Sequence, residues 1–163
     1  MARDHDPYPP LISPRSPSYE RAWREFPHPS QDTGAETVAL LARLAEAEQN
    51  ATQLCAQMLP ELGDDPFAGS VRDHAELHAA RRQALGKLIE RFGGSPPTDA
   101  ECRVILTQAC DAAGHVLSAD DARRVLTTMR DELAAEYDSA LATPGLDEAQ
   151  RAALHALAPQ SQP

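Results

Sequence analysis

The sequence predicts an all-α protein: an antiparallel helical bundle over residues 33–158, with a disordered proline-rich arm over 1–32 and a disordered polar tail over 159–163. Three observations predict it. Apolar residues recur at 3–4 spacing through long segments, as one face of a helix requires. Each segment is bracketed by capping and stop residues. No stretch alternates with the period of two that a strand would show. Hydrophobic residues make up 42% of the 163 positions and aromatics only 4%, so the core must be built mainly from Leu, Ala, Val and Ile. Side chains of that kind favour close helix packing.

Seven of the fourteen prolines fall in residues 1–32. Proline lacks a backbone N–H and restricts its predecessor, so stretches such as PYPPLISPRSPS exclude regular helix. One island interrupts the arm. Between Pro17 and Pro27, Tyr19, Trp23 and Phe26 stand at i, i+4 and i+7. That spacing puts three aromatics on one face of a short helix over 18–26, while Glu20, Arg21, Arg24 and Glu25 lie off it. Such a face suits docking into a groove, and Tyr19, Trp23 and Phe26 are the candidate partner-binding residues.

The first bundle helix opens on a capping box, Thr33-Gly34-Ala35-Glu36. Its stripe runs through Leu41, Ala45, Glu48, Thr52, Cys55 and Leu59, and Pro60, Gly63 and Asp64 close it. The second starts at Asp65-Pro66, an N-cap followed by proline at the first helical position. Its stripe is Phe67, Val71, His74 or Ala75, His78, Leu85, Leu88 and Phe92, stopped by Gly93-Gly94. A third segment begins with another capping box, Thr98-Asp99-Ala100-Glu101, and carries Val104, Ile105, Ala109, Ala112 and Val116. Ser118 with Asp120 and Asp121 reads as a fresh cap. A fourth segment follows with Ala122, Val125, Leu126, Met129, Leu133, Tyr137, Ala140 and Leu141; the third and fourth could also form one bent helix. A last short helix spans 147–157. Short turns imply antiparallel neighbours. Leu41, Leu85, Leu88 and Leu133 are central in their stripes and are expected to be buried.

The net charge is −10, which opposes both a phosphate backbone and an anionic membrane surface as partners. The three cysteines, Cys55, Cys102 and Cys110, are odd in number and form no CxxC, so a reducing compartment is the default. No segment reaches the ~20 apolar residues a bilayer span needs. Cytoplasmic location is the resulting expectation.

Three stretches together resemble a known family. They are Ala45-Glu46-Ala47-Glu48, then Leu88-Ile89-Glu90-Arg91-Phe92-Gly93-Gly94-Ser95-Pro96, then Ala119-Asp120-Asp121-Ala122 leading to the run from Asp131 to Leu141. Their order and spacing resemble a bacterial ferritin-like family related to rubrerythrins, domain of unknown function 2383, over roughly residues 36–157. The resemblance implies a ferritin-like four-helix bundle and no established activity.

A ferritin-like di-iron site takes a Glu from each of two helices and a Glu-x-x-His from each of the other two. This chain has no Glu-x-x-His. The nearest arrangement is His74-Ala75-Glu76-Leu77-His78, whose histidines stand at i and i+4 and could chelate a divalent metal. Inward carboxylates could come from Glu48 and from Glu132 or Glu136. The candidate metal ligands are therefore Glu48, His74, His78, Glu132 and Glu136, with iron or another divalent cation as the possible cofactor. The competing reading makes them surface side chains or a hydrogen-bonded polar layer within a narrow bundle. No catalytic triad and no phosphate loop can be argued; Gly93-Gly94 is a helix stop. Two functions stay open. The first is a non-enzymatic bundle acting through protein contacts, as a homo-oligomer (a dimer) or through a protein partner of the arm. The alternative is a metal-binding ferritin-like protein with a degenerate di-metal site.

Overall fold

The computed structural model describes residues 31–159 apart from 117 and 145, with side chains from Gly34 onward. Tyr19, Trp23 and Phe26 lie outside the described residues, as does the expected helix over 18–26. The described chain is all-helical, with no strand. Five helices follow one another: α1 (Gln31–Leu62), α2 (Phe67–Arg91), α3 (Thr107–Ala113), α4 (Ala119–Leu141) and α5 (Glu148–Leu157).

Local chemistry sets most of the ends. α1 starts two residues before the expected Thr33 and runs through Pro60 to Leu62, rather than closing at the proline. Pro60 is exposed, where a missing backbone bond costs little, because water can replace it. Gly63, at φ +52°, ends the helix. Before α2, the Asp65 carboxylate accepts from Phe67 N–H at 2.8 Å. After it, Gly93 sits at φ +77° and donates to Glu90 C=O, while Gly94 N–H reaches Ile89 C=O. This reversal is the glycine stop the sequence predicts. Ser118 caps α4 by accepting from Asp121 N–H at 3.2 Å. Asp147 and Gln150 close a reciprocal capping box on α5.

Gly94 is required by packing rather than by its backbone conformation. A Cβ there would stand 2.6 Å from Val38 Cγ1 and 3.0 Å from Ile89 Cγ2. The strap after α2 therefore crosses α1 with no room for a side chain. Gly94→Ala should cost about 1–3 kcal/mol by overpacking. Urea denaturation of the variant checks this, and an unchanged midpoint would show that the strap has slack.

The third segment departs most from expectation. Glu101 does accept from the Thr98 N–H and hydroxyl, at 3.0 and 2.7 Å, and a turn forms. No helix grows from it; residues 102–106 form no regular element and α3 begins only at Thr107. Val104, expected on the inner face, is 63% exposed. The reason lies on α1. Asn50 donates to Arg103 C=O at 3.2 Å and accepts from Ile105 N–H at 2.6 Å, replacing the bonds a helix would make. Leu106, not Val104, enters the core.

The apolar core forms two groups. One joins the second half of α1 (Ala47, Ala51, Leu54, Met58) to the start of α2 (Phe67, Val71), to α3 and to the first half of α4 (Val125, Leu126, Met129, Leu133). The other joins the first half of α1 (Leu41, Leu44, Ala45) to the end of α2 (Leu85, Leu88, Ile89), the end of α4 (Tyr137, Ala140) and α5 (Leu154, Leu157). Both α2 and α4 therefore run against α1 and parallel to each other. The crossing over residues 92–118, which includes α3, makes that parallel arrangement possible. Leu41, Leu85, Leu88 and Leu133 are all buried, as their stripes predict. The short last helix suggests an apolar face left open, but among the described residues Val104 is the exposed large hydrophobe.

Candidate functional site

The most polar stretch of α1 is its most buried. Residues 44–51 read Leu-Ala-Glu-Ala-Glu-Gln-Asn-Ala, and all are buried. A helix enclosed on every side must satisfy each polar side chain internally. Glu46 pairs with Arg103 at 3.0 Å, and Asn50 holds the 103–106 strap. Glu48 faces the middle of the fold and is fully buried.

Glu48 is the centre of a three-helix polar layer. Its Oε2 lies 2.6 Å from His78 Nδ1 on α2, and its Oε1 accepts from the Tyr137 hydroxyl on α4 at 2.8 Å. His78 is 3% exposed and Tyr137 is fully buried. With Glu48 ionised, both bonds run toward the carboxylate, so Nδ1 is the protonated imidazole nitrogen. The layer sits at the boundary between the two apolar groups and links all three long helices. His78 Nε2 is buried and meets no protein hydrogen-bond partner. One turn earlier, His74 sets its Nδ1 against Ser70 C=O at 2.8 Å. The two imidazole centroids are 6.4 Å apart. Burial holds the His74 pKa below the ordinary histidine value, and the Ser70 carbonyl offsets this in part.

The five candidate ligands separate in the structure. Glu48 and His78 meet, with His74 beside them. Glu132 instead caps α3, accepting from Gln108 N–H at 3.1 Å and Ala109 N–H at 2.9 Å. Glu136 holds Arg43 through two bonds of 2.6 and 2.7 Å. Among the described residues, no group of three or more His, Cys, Asp or Glu side chains is placed to hold a metal ion. Tyr137 and Asn50 are the participants that sequence reading passes over. A phenol in an otherwise apolar stripe is the signal for Tyr137, because a buried hydroxyl needs an acceptor.

No known protein family, curated protein or solved structure matches the chain. None of the described helices is long and apolar enough to cross a membrane.

The cysteines stand apart from this layer. Cys55 is fully buried, and burial pushes its thiol up to about 12. The thiols of half-buried Cys102 and Cys110 are also raised by partial burial. Alkylation depends on the thiolate and on access. Iodoacetamide at pH 8 should therefore modify Cys102 and Cys110 while sparing Cys55 until the protein is unfolded. Mass spectrometry after timed quenching checks the order, and early modification of Cys55 would contradict its placement.

Proposed function

We propose that the chain is a non-enzymatic, ferritin-like helical-bundle protein that acts through protein–protein contact, with the Glu48–His78–Tyr137 layer as its structural centre. One observation carries this reading: two of the carboxylates a metal centre would use, Glu132 and Glu136, are spent on a helix cap and an arginine. The bundle centre is left with one carboxylate, one imidazole and one phenol, which satisfy one another except at Nε2. Buried polar layers of this kind set helix register.

The contact element is the N-terminal segment. Tyr8, Tyr19, Trp23 and Phe26 are four of the seven aromatics of the chain, and all precede residue 33. The described surface, by contrast, exposes Val104 as its large hydrophobe. Aromatic anchors contribute most where they are desolvated against a partner. A second copy of the chain is the simplest such partner.

Sedimentation velocity at micromolar concentration tests this. The intact chain should self-associate, and a Tyr19→Ala, Trp23→Ala, Phe26→Ala variant should be monomeric with an unchanged far-ultraviolet spectrum. Trp23 is the sole tryptophan, so its emission should be blue-shifted and shielded from iodide in the assembly. A monomeric intact chain whose tryptophan is quenched like the free amino acid would overturn the reading.

A further inference from the structure

A groove of about 420 Å³ lies along α2 beside the strap that follows it. Ala79, Gln83, Gly86 and Glu90 line one side at steps of three and four, which is one face of the helix. Pro96 and Pro97 line the other. Pro96 sits close over Gly86, where an added Cβ would stand 3.5 Å from its Cγ. Arg82 braces this wall by donating to Pro97 C=O at 3.3 Å and to Asp99 at 2.6 Å. The groove is thus formed in advance. No aromatic and no large aliphatic side chain lines it, so bulk must come from an occupant.

The N-terminal segment matches it in size and charge. A helix over 18–26 is about 13 Å long, and the span from Ala79 to Glu90 on α2 is about 16 Å. Tyr19, Trp23 and Phe26 supply the bulk that the groove lacks. Glu20 and Glu25 suit Lys87 at its edge, and Arg21 and Arg24 suit Glu90. Arg3, Arg15, Arg21 and Arg24 balance Asp4, Asp6, Glu20 and Glu25, so the net charge of −10 falls on residues 31–163. Two such acidic bodies repel, and the arm is the one long stretch that can approach a second body without that penalty.

The link to α1 decides which copy is reached. The start of α1 lies beside the end of α2, since Gly34 faces the Phe92 carbonyl. To fill its own groove, the segment would have to turn straight back along α1. The link is Pro27-His28-Pro29-Ser30. Each proline pushes its predecessor toward extended backbone, and a polyproline path carries the segment about 12 Å outward. We infer that the aromatic segment of one copy docks in the α2–strap groove of a second copy, and the second reciprocates. This rests on the reading that the arm joins two copies, and adds the surface that receives it.

The test uses full-length chains in sedimentation velocity at micromolar concentration. Ala79→Arg fills the groove from an exposed helix position and should weaken self-association about tenfold or more. Lys87→Glu should weaken it less. Circular dichroism checks that both fold. Mixing gives the sharper readout. Chains carrying Tyr19→Ala, Trp23→Ala and Phe26→Ala have no tryptophan but keep the groove. Added to Ala79→Arg chains, they should form mixed dimers and shift Trp23 emission to the blue, because one intact arm then meets one intact groove. If emission does not move on mixing, or if Ala79→Arg associates like the unaltered chain, the groove is not the receptor. Dimerisation that still depends on the aromatics would leave the contact reading standing while this inference falls. An intact monomer with Trp23 shielded from iodide would place the segment on its own chain and overturn docking on a second copy. An intact monomer with Trp23 freely quenched would overturn both.

Discussion

Glu48→Ala should destabilise the fold by about 3–5 kcal/mol, the largest single-site effect expected in this protein. The substitution removes the common acceptor of His78 Nδ1 and the Tyr137 hydroxyl. Two donors on two further helices then lose the acceptor they share. Each carries a desolvation penalty of about 1–3 kcal/mol, so the loss of Glu48 is felt on α1, α2 and α4 together. Glu48→Gln should cost less, since the amide keeps one acceptor oxygen. The decisive comparison is the triple variant Glu48→Leu, His78→Leu, Tyr137→Phe. If the layer is structural, replacing all three polar partners at once should recover most of the stability that Glu48→Ala loses. Chemical denaturation of the three variants measures this. A near-neutral Glu48→Ala would mean that the layer is wet in solution.

Leu133→Ala should cost about 2–5 kcal/mol through lost burial and the cavity it leaves. Leu133 is fully buried on α4 in the group that includes Ala51 and Met129. It lies one turn before Tyr137, so collapse around the cavity is opposed by the fixed polar layer. Differential scanning calorimetry and urea denaturation should agree on the loss. A change under about 0.5 kcal/mol, well below the expected range, would show that the inner face of α4 has been misassigned.

The parts of the fold legible in the sequence are those with local causes. Gly93 marks the end of α2 because the reversal needs a positive φ. Ser118 and Asp147 mark helix starts because their side chains reach backbone N–H groups within three residues. The leucine stripes point inward because burial follows the helical period. The segment over 98–106 was not legible. Its capping box is genuine, yet the backbone is claimed by Asn50, more than fifty positions earlier. No periodicity encodes a competitor at that distance.

The candidate site divides in the same way. Glu48 and His78 stand at helical spacing within their stripes, and both prove to face inward. The run Glu46-Ala47-Glu48-Gln49-Asn50 resembles a solvated helix face. It is buried because α2, α4 and the strap enclose α1 from several sides, a tertiary fact with no local signature. Glu132 and Glu136 share a helix with Tyr137 and had equal standing from spacing alone. Their partners, the α3 backbone and Arg43, decide where they point.

The direct test of the Glu48-centred layer is a long-range proton–nitrogen correlation spectrum of the histidine rings in the folded protein at neutral pH. The structure predicts that His78 carries a slowly exchanging proton on Nδ1, protected by burial and by its bond to Glu48, and that Glu48→Ala abolishes that protection. A His78 ring protonated at Nε2 alone, with Nδ1 bare, would contradict the layer and with it the structural centre of the bundle.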